Sequence, residues 1–362
     1  MVTIRDVART AGVSIKTVSR VLTGNGYASA ATRAQVERAA KKLGYVPNRI
    51  ASGLATGRTQ SVGMVIPDIA AVHFAEIALG AQTAAMKLGY HLILANTNGN
   101  LDEEKHVLRF LHQTRVDGII LAGARLPDSD LLPALKQYPA FVSINHPVPS
   151  ELGASVTSEH AKGIAAAVEH LVRSNRRVIA FMAGPVNSYS AKERRRGFLR
   201  AMKKFECLID PALIVPYETN YAEGFHSQYE WFSSADVGSA RWSDWRATFG
   251  ARGACELLTA HPQVDGIVCF DDQTAFGVLR ACVQLGRRVP DDIAVIGCND
   301  IPLAVQATPT LTTQRIPRYQ IGKRAAELLI ECINGNRKQD PVVFPHELIF
   351  RESAPAVIAK ER

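Results

Sequence analysis

The 362-residue chain reads as an α/β protein with a helical head: three helices in a helix-turn-helix arrangement, a short hinge, and a two-lobed body of doubly wound parallel sheets. Three observations carry that reading. Charge is segregated, since residues 1–60 hold ten Lys/Arg and two acids while the rest of the chain holds 32 of each. Helix start and stop signals crowd the first 45 residues. From Ser61 onward, apolar runs of strand length alternate with amphipathic stretches of helical length. The length fits two or three domains at roughly 100–200 residues each, and 47% hydrophobic residues against 21% charged excludes wholesale disorder.

In the head, Thr3-Ile-Arg-Asp6 has the form of a capping box with Asp in place of Glu, and opens a helix carrying Val7 and Ala8. Gly12 breaks it, and Ser14 caps a second helix over Ile15–Leu22. Val18, Val21 and Leu22 share its inner face, which leaves Ile15, Lys16, Ser19 and Arg20 outward near the helix start. Such a face fits the major groove, where Lys and Arg donate to guanine O6 and N7. Ser29 caps a third helix with Val36, Ala39, Ala40 and Leu43 at helical spacing, and Gly44 stops it. Pro47 could start a helix and Gly57 end it, but fewer than ten residues lie between them, short of the roughly 12–15 that an isolated helix needs in water. The stretch reads as a linker, or as a segment that becomes helical only on a partner. The whole excess charge of +8 sits in this head, which points to a polyanion, most simply nucleic acid.

In the body the strand-like runs are Val62–Ile66, His91–Ala95, Gly118–Ala122, Phe141–Ile144, Val178–Met182, Gly266–Phe270 and Ile293–Ile296. Helical stretches such as Phe74–Leu88, Ala161–Arg173, Ala191–Phe205, Gln273–Leu285 and Tyr319–Ile333 separate them. Val116-Asp-Gly and Val264-Asp-Gly echo each other at strand entry, as two similar lobes require. Open α/β sheets bind ligands beyond the carboxyl ends of their strands. The polar residues there are Asp68, Asn96, Asn145, Asp271 and Asn299, enough to surround a small polar ligand.

Other classes lack their signatures. No G-x-S-x-G, phosphate loop or H-E-x-x-H motif is present, so an enzyme is not expected. The six cysteines are scattered without a C-x-x-C pair, as expected in a reduced compartment, and no metal or cofactor is called for. The start MVTIRDVART is no secretory leader and no uncharged span reaches about 18 apolar residues, so a cytoplasmic protein is expected.

The segments Thr3–Leu22 (TIRDVARTAGVSIKTVSRVL) and Leu43–Leu54 (LGYVPNRIASGL) closely resemble the DNA-reading head and hinge of the lactose-repressor (LacI/GalR) family of bacterial transcription regulators. The resemblance covers essentially the whole chain and implies a periplasmic-binding-protein-like body. By that resemblance Ile15, Lys16 and Arg20 read base edges, Asn48 and Ala51 lie against the minor groove, and Leu54 is a wedge that kinks the duplex. Thr3, Ser14, Thr17, Ser19 and Asn25 complete the candidate DNA-contacting set. For the effector it implies His73, Phe74, Asn145, Ser190, Arg194, Trp245, Asp271 and Asn299, with Asp272 structural.

Two departures stand out: Ala71-Val72-His73 replaces the family's usual Asn-Pro-aromatic, and the aromatic-rich stretch 217–243 is longer than usual. The implied boundaries are 1–46 for the head, 47–60 for the hinge and 61–362 for the body. One lobe is expected at about 61–158 with 316–345, the other at about 159–315 with 346–362. The implied partners are a near-palindromic operator in double-stranded DNA, a small-molecule effector and a second copy of the chain. The implied effector is a sugar or sugar derivative, with a nucleoside or nucleobase as the alternative. A solute-binding protein shares the two-lobed body but should lack the basic head.

Overall fold

The computed structural model describes residues 2–23, 27–46, 57–216, 243–336 and 340–357, with Thr23 and 243–249 described by backbone alone. The chain forms two compact units, Met1–Ser61 and Val62–Arg362.

The head holds α1 (Ile4–Thr10), α2 (Ile15–Thr23) and α3 (Ala30–Leu43). Asp6 Oδ2 accepts from the Thr3 backbone N–H at 3.0 Å and from its hydroxyl at 2.8 Å, so an Asp does the work of the usual Glu. Ser14 Oγ accepts from Thr17 N at 3.1 Å and starts α2. Gly44 ends α3 in the left-handed conformation, at φ 62°. Val7, Val18 and Val36, each 0% exposed, centre a small core made from all three helices.

The body contains two six-stranded sheets. The first has order β11-β5-β4-β3-β1-β2, built from β1 (Ser61–Ile66), β2 (His91–Asn96), β3 (Gly118–Ala122), β4 (Phe141–Ile144), β5 (Ala154–Ser158) and β11 (Val342–Phe344). The second has order β12-β10-β9-β8-β6-β7, built from β6 (Ile179–Met182), β7 (Ile214–Val215), β8 (Gly266–Cys269), β9 (Ala294–Asn299), β10 (Thr312–Arg315) and β12 (Glu347–Ile349). β1, β3, β4, β5 and β11 are successive parallel neighbours, as are β7, β6, β8, β9 and β10; β12 runs antiparallel to β10. The buried runs Gly118–Ala122 and Gly266–Cys269 are central strands covered on both faces, which is why they read as unbroken apolar segments.

The first lobe carries α4 (Val72–Lys87), α5 (Leu101–Gln113) and α6 (Asp128–Leu135). The second carries α7 (His160–Arg173), α8 (Tyr189–Lys204), α9 (Ser243–Ala260) and α10 (Asp272–Gln284). A last helix, α11 (Arg318–Ile333), follows β10 of the second sheet yet packs into the first lobe's core. The chain therefore passes between the sheets after Ser158, after Arg315 and after Phe344. These crossovers are tied together: Glu159 N donates to Phe344 O at 2.9 Å, and Gln314 Nε2 donates to Gly163 O at 2.8 Å.

α4 and α11 meet at backbone distance. A Cβ on Gly322 would stand 1.8 Å from Ile77 O, and one on Gly80 would stand 2.0 Å from Tyr319 O. Even one methyl group must part the helices. That close approach brings Glu76 on α4 to Arg318 at the start of α11, with Nε to Oε2 at 2.9 Å and Nη2 to Oε1 at 3.2 Å. Gly322→Ala is expected to cost about 1–3 kcal/mol through overpacking, read as a lower Tm in thermal unfolding of the full chain; an unchanged Tm would sink the close-approach argument.

Candidate functional site

A cleft lies where the carboxyl ends of the two sheets face each other. Its wall includes His73, Phe74, Ile77, Gly123, Arg125 and Asn145 from the first lobe, and His160, Ser188, Ser190, Arg194, Phe270 and Asn299 from the second. Ile316, at the second crossover, and Arg318 and Ile321 of α11 complete it. The enclosed space is only about 40 Å³, far below the roughly 300–1,000 Å³ of ordinary ligand pockets. Two more open grooves, about 440 and 550 Å³, each draw their walls from one lobe only.

Arg194 projects from α8 and is 4% exposed. Its Nη1 donates to the Phe270 carbonyl oxygen, and its guanidinium carbon lies 4.5 Å from the centroid of the Phe270 ring. Its Nε is buried without a hydrogen-bond partner. Ser190 Oγ lies 2.8 Å from Ser188 Oγ, and Ser188 caps α8.

Asn145 and Asn299 end β4 and β9 at φ 55° and 120°. Asn tolerates the left-handed region better than most residues, so this backbone is one reason for Asn at both strand ends. Asn145 Oδ1 accepts from His160 Nε2 at 3.0 Å. His346, on the third crossover, reaches Ser158 Oγ at 3.2 Å and stacks edge-on against His160, ring centroids 5.3 Å apart. Burial, aided by the Arg194 charge, pushes the His160 pKa well below the ordinary value and that of His346 to about 3. Both rings are therefore neutral at pH 7.

Of the sequence-predicted effector residues, His73, Phe74, Asn145, Ser190, Arg194 and Asn299 come together in the wall. Phe74 is 6% exposed and also belongs to the first lobe's core, its ring 4.0 Å from that of His73. Asp271 is not in the wall. Its Oδ1 accepts from Thr274 N at 2.9 Å and from the Thr274 hydroxyl at 2.8 Å, so it caps α10 while Phe270 faces the cleft. Asp272 is fully buried between Thr313 and Ile301 N, and burial raises its pKa to about 7. Asp68 and Asn96 do not line the cleft either; Asp68 accepts from Ala70 N and Asn96 from Ile69 N, both at 2.9 Å, and together they shape the β1–α4 loop. Trp245 falls in the first turn of α9, and its side chain lies outside the described residues. Sequence reasoning missed Arg125, His160, Ser188, Phe270 and Arg318; Arg125 follows β3 and was accessible to the same strand-end logic.

In the head, Thr3, Ser14, Ile15 and Lys16 are exposed, and Ile15 is 45% exposed, open to an apolar contact such as a thymine methyl. Thr17, Ser19 and Arg20 are half-buried, and Arg20 Nη1 donates to Tyr27 O at 3.3 Å. Asn25, Asn48, Ala51 and Leu54 lie outside the described residues.

The chain matches the model for bacterial regulatory proteins of the lacI family over residues 3–48. It matches periplasmic binding proteins and the sugar-binding domain of the LacI family over 59–214, and a periplasmic binding protein-like domain over 168–354. The ribose operon repressor of Halalkalibacterium halodurans is 32% identical, with 98% of this chain and 97% of that protein covered. The chain belongs to the lacI family of bacterial regulatory proteins. The transcriptional repressor PurR of Vibrio vulnificus is 30% identical over 99% of this chain and 100% of that one. Among solved structures, the Lac repressor dimer bound to operator and the anti-inducer ONPF superposes with TM-score 0.82 at 26% identity, covering 98% of this chain and 99% of that one. The regulator CelR in complex with cellobiose gives 0.68 at 30% identity, covering 98% and 100%. This lacI-family member is accordingly a DNA-binding transcriptional repressor and not an enzyme. Among the described residues no helix is long and apolar enough to cross a membrane.

The neutral histidines give the cleft an acid sensitivity with a definite sign. Their folded pKa values lie below the unfolded value near 6.5, so their contribution is present above that pH and is lost as pH falls toward about 3. Asp272, raised to about 7, acts in the opposite sense between about 4 and 7. The readout is therefore a difference. His346→Gln should lose less Tm than the wild type between pH 7 and pH 5 in parallel melts; identical slopes would refute the assignment.

Proposed function

We propose that the protein binds a near-palindromic operator in double-stranded DNA as a cytoplasmic homodimer, and that a small sugar or sugar derivative in the interlobe cleft sets its operator affinity. The observation that carries this is the pairing, in one chain, of an exposed α2 face bearing Ile15 and Lys16 with a cleft walled by polar side chains of both lobes. The sugar-binding domain named by the matching family model and the cellobiose complex of CelR support the choice of ligand class.

In this reading Lys16 and Arg20, with Ile15, read base edges, while Thr3, Ser14, Thr17, Ser19 and Asn25 fix the head on the duplex. Arg20 has to exchange the Tyr27 carbonyl oxygen for a base edge. Asn48 and Ala51 lie along the minor groove and Leu54 enters a base step, whose unstacking costs a few kcal/mol. His73, Phe74, Asn145, Ser190, Arg194 and Asn299 hold the effector, joined by Trp245 and Asp271 where the cleft widens. Effector binding shifts the lobes, and the hinge segment 47–60 passes that shift to the head. A coupling of roughly 1–3 kcal/mol gives 5–150-fold control of operator affinity.

Selection of bound sites from randomised duplex DNA with the full-length chain is the test. An inverted-repeat consensus is expected, and the absence of any enriched sequence would overturn the reading. On the selected site, Lys16→Ala should lose roughly 1–3 kcal/mol of discrimination at its base step while retaining salt-dependent nonspecific binding. Leu54→Ala should reduce DNA bending, measured by energy transfer between end-labelled fluorophores; undiminished bending would remove Leu54 from the wedge position.

A further inference from the structure

We infer that the groove on the face of α8 turned from the cleft is a docking surface for the chain's own segment 217–242, which sets its rings on an apolar floor and its carboxylates on a basic rim. Only described residues line the groove, and the segment leaves the described chain at its edge, after Pro216.

The zero net charge of the body conceals a local excess. Residues 61–362 hold 32 bases and 32 acids, yet α8 alone carries seven Lys/Arg against one acid, Glu193. Arg194 is buried in the cleft wall. The other six, Lys192, Arg195, Arg196, Arg200, Lys203 and Lys204, are exposed. Glu193 pairs with Arg196. The bases recur at three- and four-residue spacing, where like charges destabilise a helix. An acidic occupant relieves that repulsion.

The groove encloses about 550 Å³. Lys192, Arg195 and Arg196 form its rim, and Val186, Leu199, Pro211 and Ile214 its floor. Val186 is 54% exposed, and Leu208 and Ile209, which precede Pro211 in the chain, are 58% and 43% exposed. Grouped apolar side chains left open to water mark an interaction surface. A nucleic acid would engage the rim and leave the floor uncovered. A polypeptide bearing both acids and rings covers both, and its rings also accept the cations of the rim.

The segment has that composition. Its 26 residues carry Glu218, Glu223, Glu230 and Asp236 against one base, Arg241. They include seven aromatic residues, among them Phe225, Trp231 and Phe232. Both of its ends are fixed in the second lobe. Pro216 lines the groove and directly follows β7. α9, which begins at Ser243, lies against the same strand: a Cβ on Gly253 would stand 3.2 Å from Val215 Cγ1. Ten residues extend at most roughly 33–36 Å, against about 24 Å for the length of α8, so the segment can follow the basic row and return. Docked there, it braces from behind the helix that carries Ser190 and Arg194 into the cleft.

The chain supplies its own probe. Its three tryptophans, Trp231, Trp242 and Trp245, all lie in the segment or just beyond it. With Trp242→Phe and Trp245→Phe in place, Trp231 is the single emitter of the full-length protein. It should emit to the blue of the excised 217–242 peptide carrying the same Trp242→Phe change, and acrylamide should quench it less. Lys192→Glu combined with Arg195→Glu should move emission and quenching toward the peptide's values, and Leu199→Asp should do so through the floor. The charge reversal sits at exposed positions and carries the test alone if Leu199→Asp does not fold. Trp231 emission that already matches the peptide overturns the inference and leaves the groove to another partner. Blue emission that the charge reversal does not move also overturns it, by placing the segment elsewhere on the molecule. Protection lost on dilution overturns it as well, by placing the segment on a second copy.

Discussion

Burying a guanidinium without a carboxylate beside it carries a desolvation cost that only well-placed neighbours offset, and the cleft is arranged around holding Arg194 in that condition. Phe270 offers both its carbonyl oxygen and its ring face. His160 and His346, which burial first and the same charge second keep from protonating, sit close enough to feel it. Helix α8 supplies the rigid base: Ser188 caps its first turn, and Phe198 on the inner face stacks on Phe181 of β6 at 4.9 Å. The core of the second lobe therefore fixes the direction in which the charge points. The ordering cost of a long side chain is met by the fold and not by the ligand.

The first lobe contributes its part through a different device. The two helices in backbone contact at Gly80 and Gly322 leave no slack, so Glu76 and Arg318 meet as a fork and Arg318 presents a single remaining edge to the cleft. Because α11 follows directly from a crossover out of the second sheet, Arg318 also reaches back to Asp300 O at 3.2 Å. One side chain thus bonds groups from both lobes. A change in lobe spacing must alter this contact, which makes it a natural place for the two lobes to sense each other.

Much of this was legible in the chain. Period and capping located α1 to α3 to within a residue, because Thr3, Ser14, Ser29 and Gly44 act locally. β3 and β8 were legible because burial on both faces removes polar residues from them, whereas the interior strands β5 and β10 went unread because Ser, Thr and Gln stand in them. The short edge strands β7, β11 and β12 were not, since two or three half-exposed residues carry no period. α6 was hidden by Pro133 in its interior, and α9 by Gly250 and Gly253 together with the aromatic stretch before it. Strand-end logic found Asn145 and Asn299 but misread Asp271, Asp68 and Asn96. A carboxylate or amide after a strand is equally well suited to cap the next helix or close a loop, and which use wins depends on where the following N–H groups point. Arg318 was out of reach for another reason: its place in the cleft depends on a crossover and on contacts 242 residues apart in sequence.

The body's lack of net charge, set against the basic head, bears on how control must travel. Arg194 and Arg318 are buried in the cleft, and the field of any charge there is small beyond a Debye length of about 8–10 Å. What remains is mechanical. A cleft enclosing about 40 Å³ cannot accept a sugar-sized molecule without opening. The opening must be absorbed where the lobes are joined, at crossovers already bonded to one another through Glu159 with Phe344 and Gln314 with Gly163. The wall is divided between the lobes, with Phe74 and Asn145 on one and Ser190 and Arg194 on the other. β1, which begins at Ser61, leads through a short loop into α4, which carries His73. A packed strand is displaced as a unit rather than stretched, so an opening of the cleft on this side is carried by the six-residue β1 together with α4.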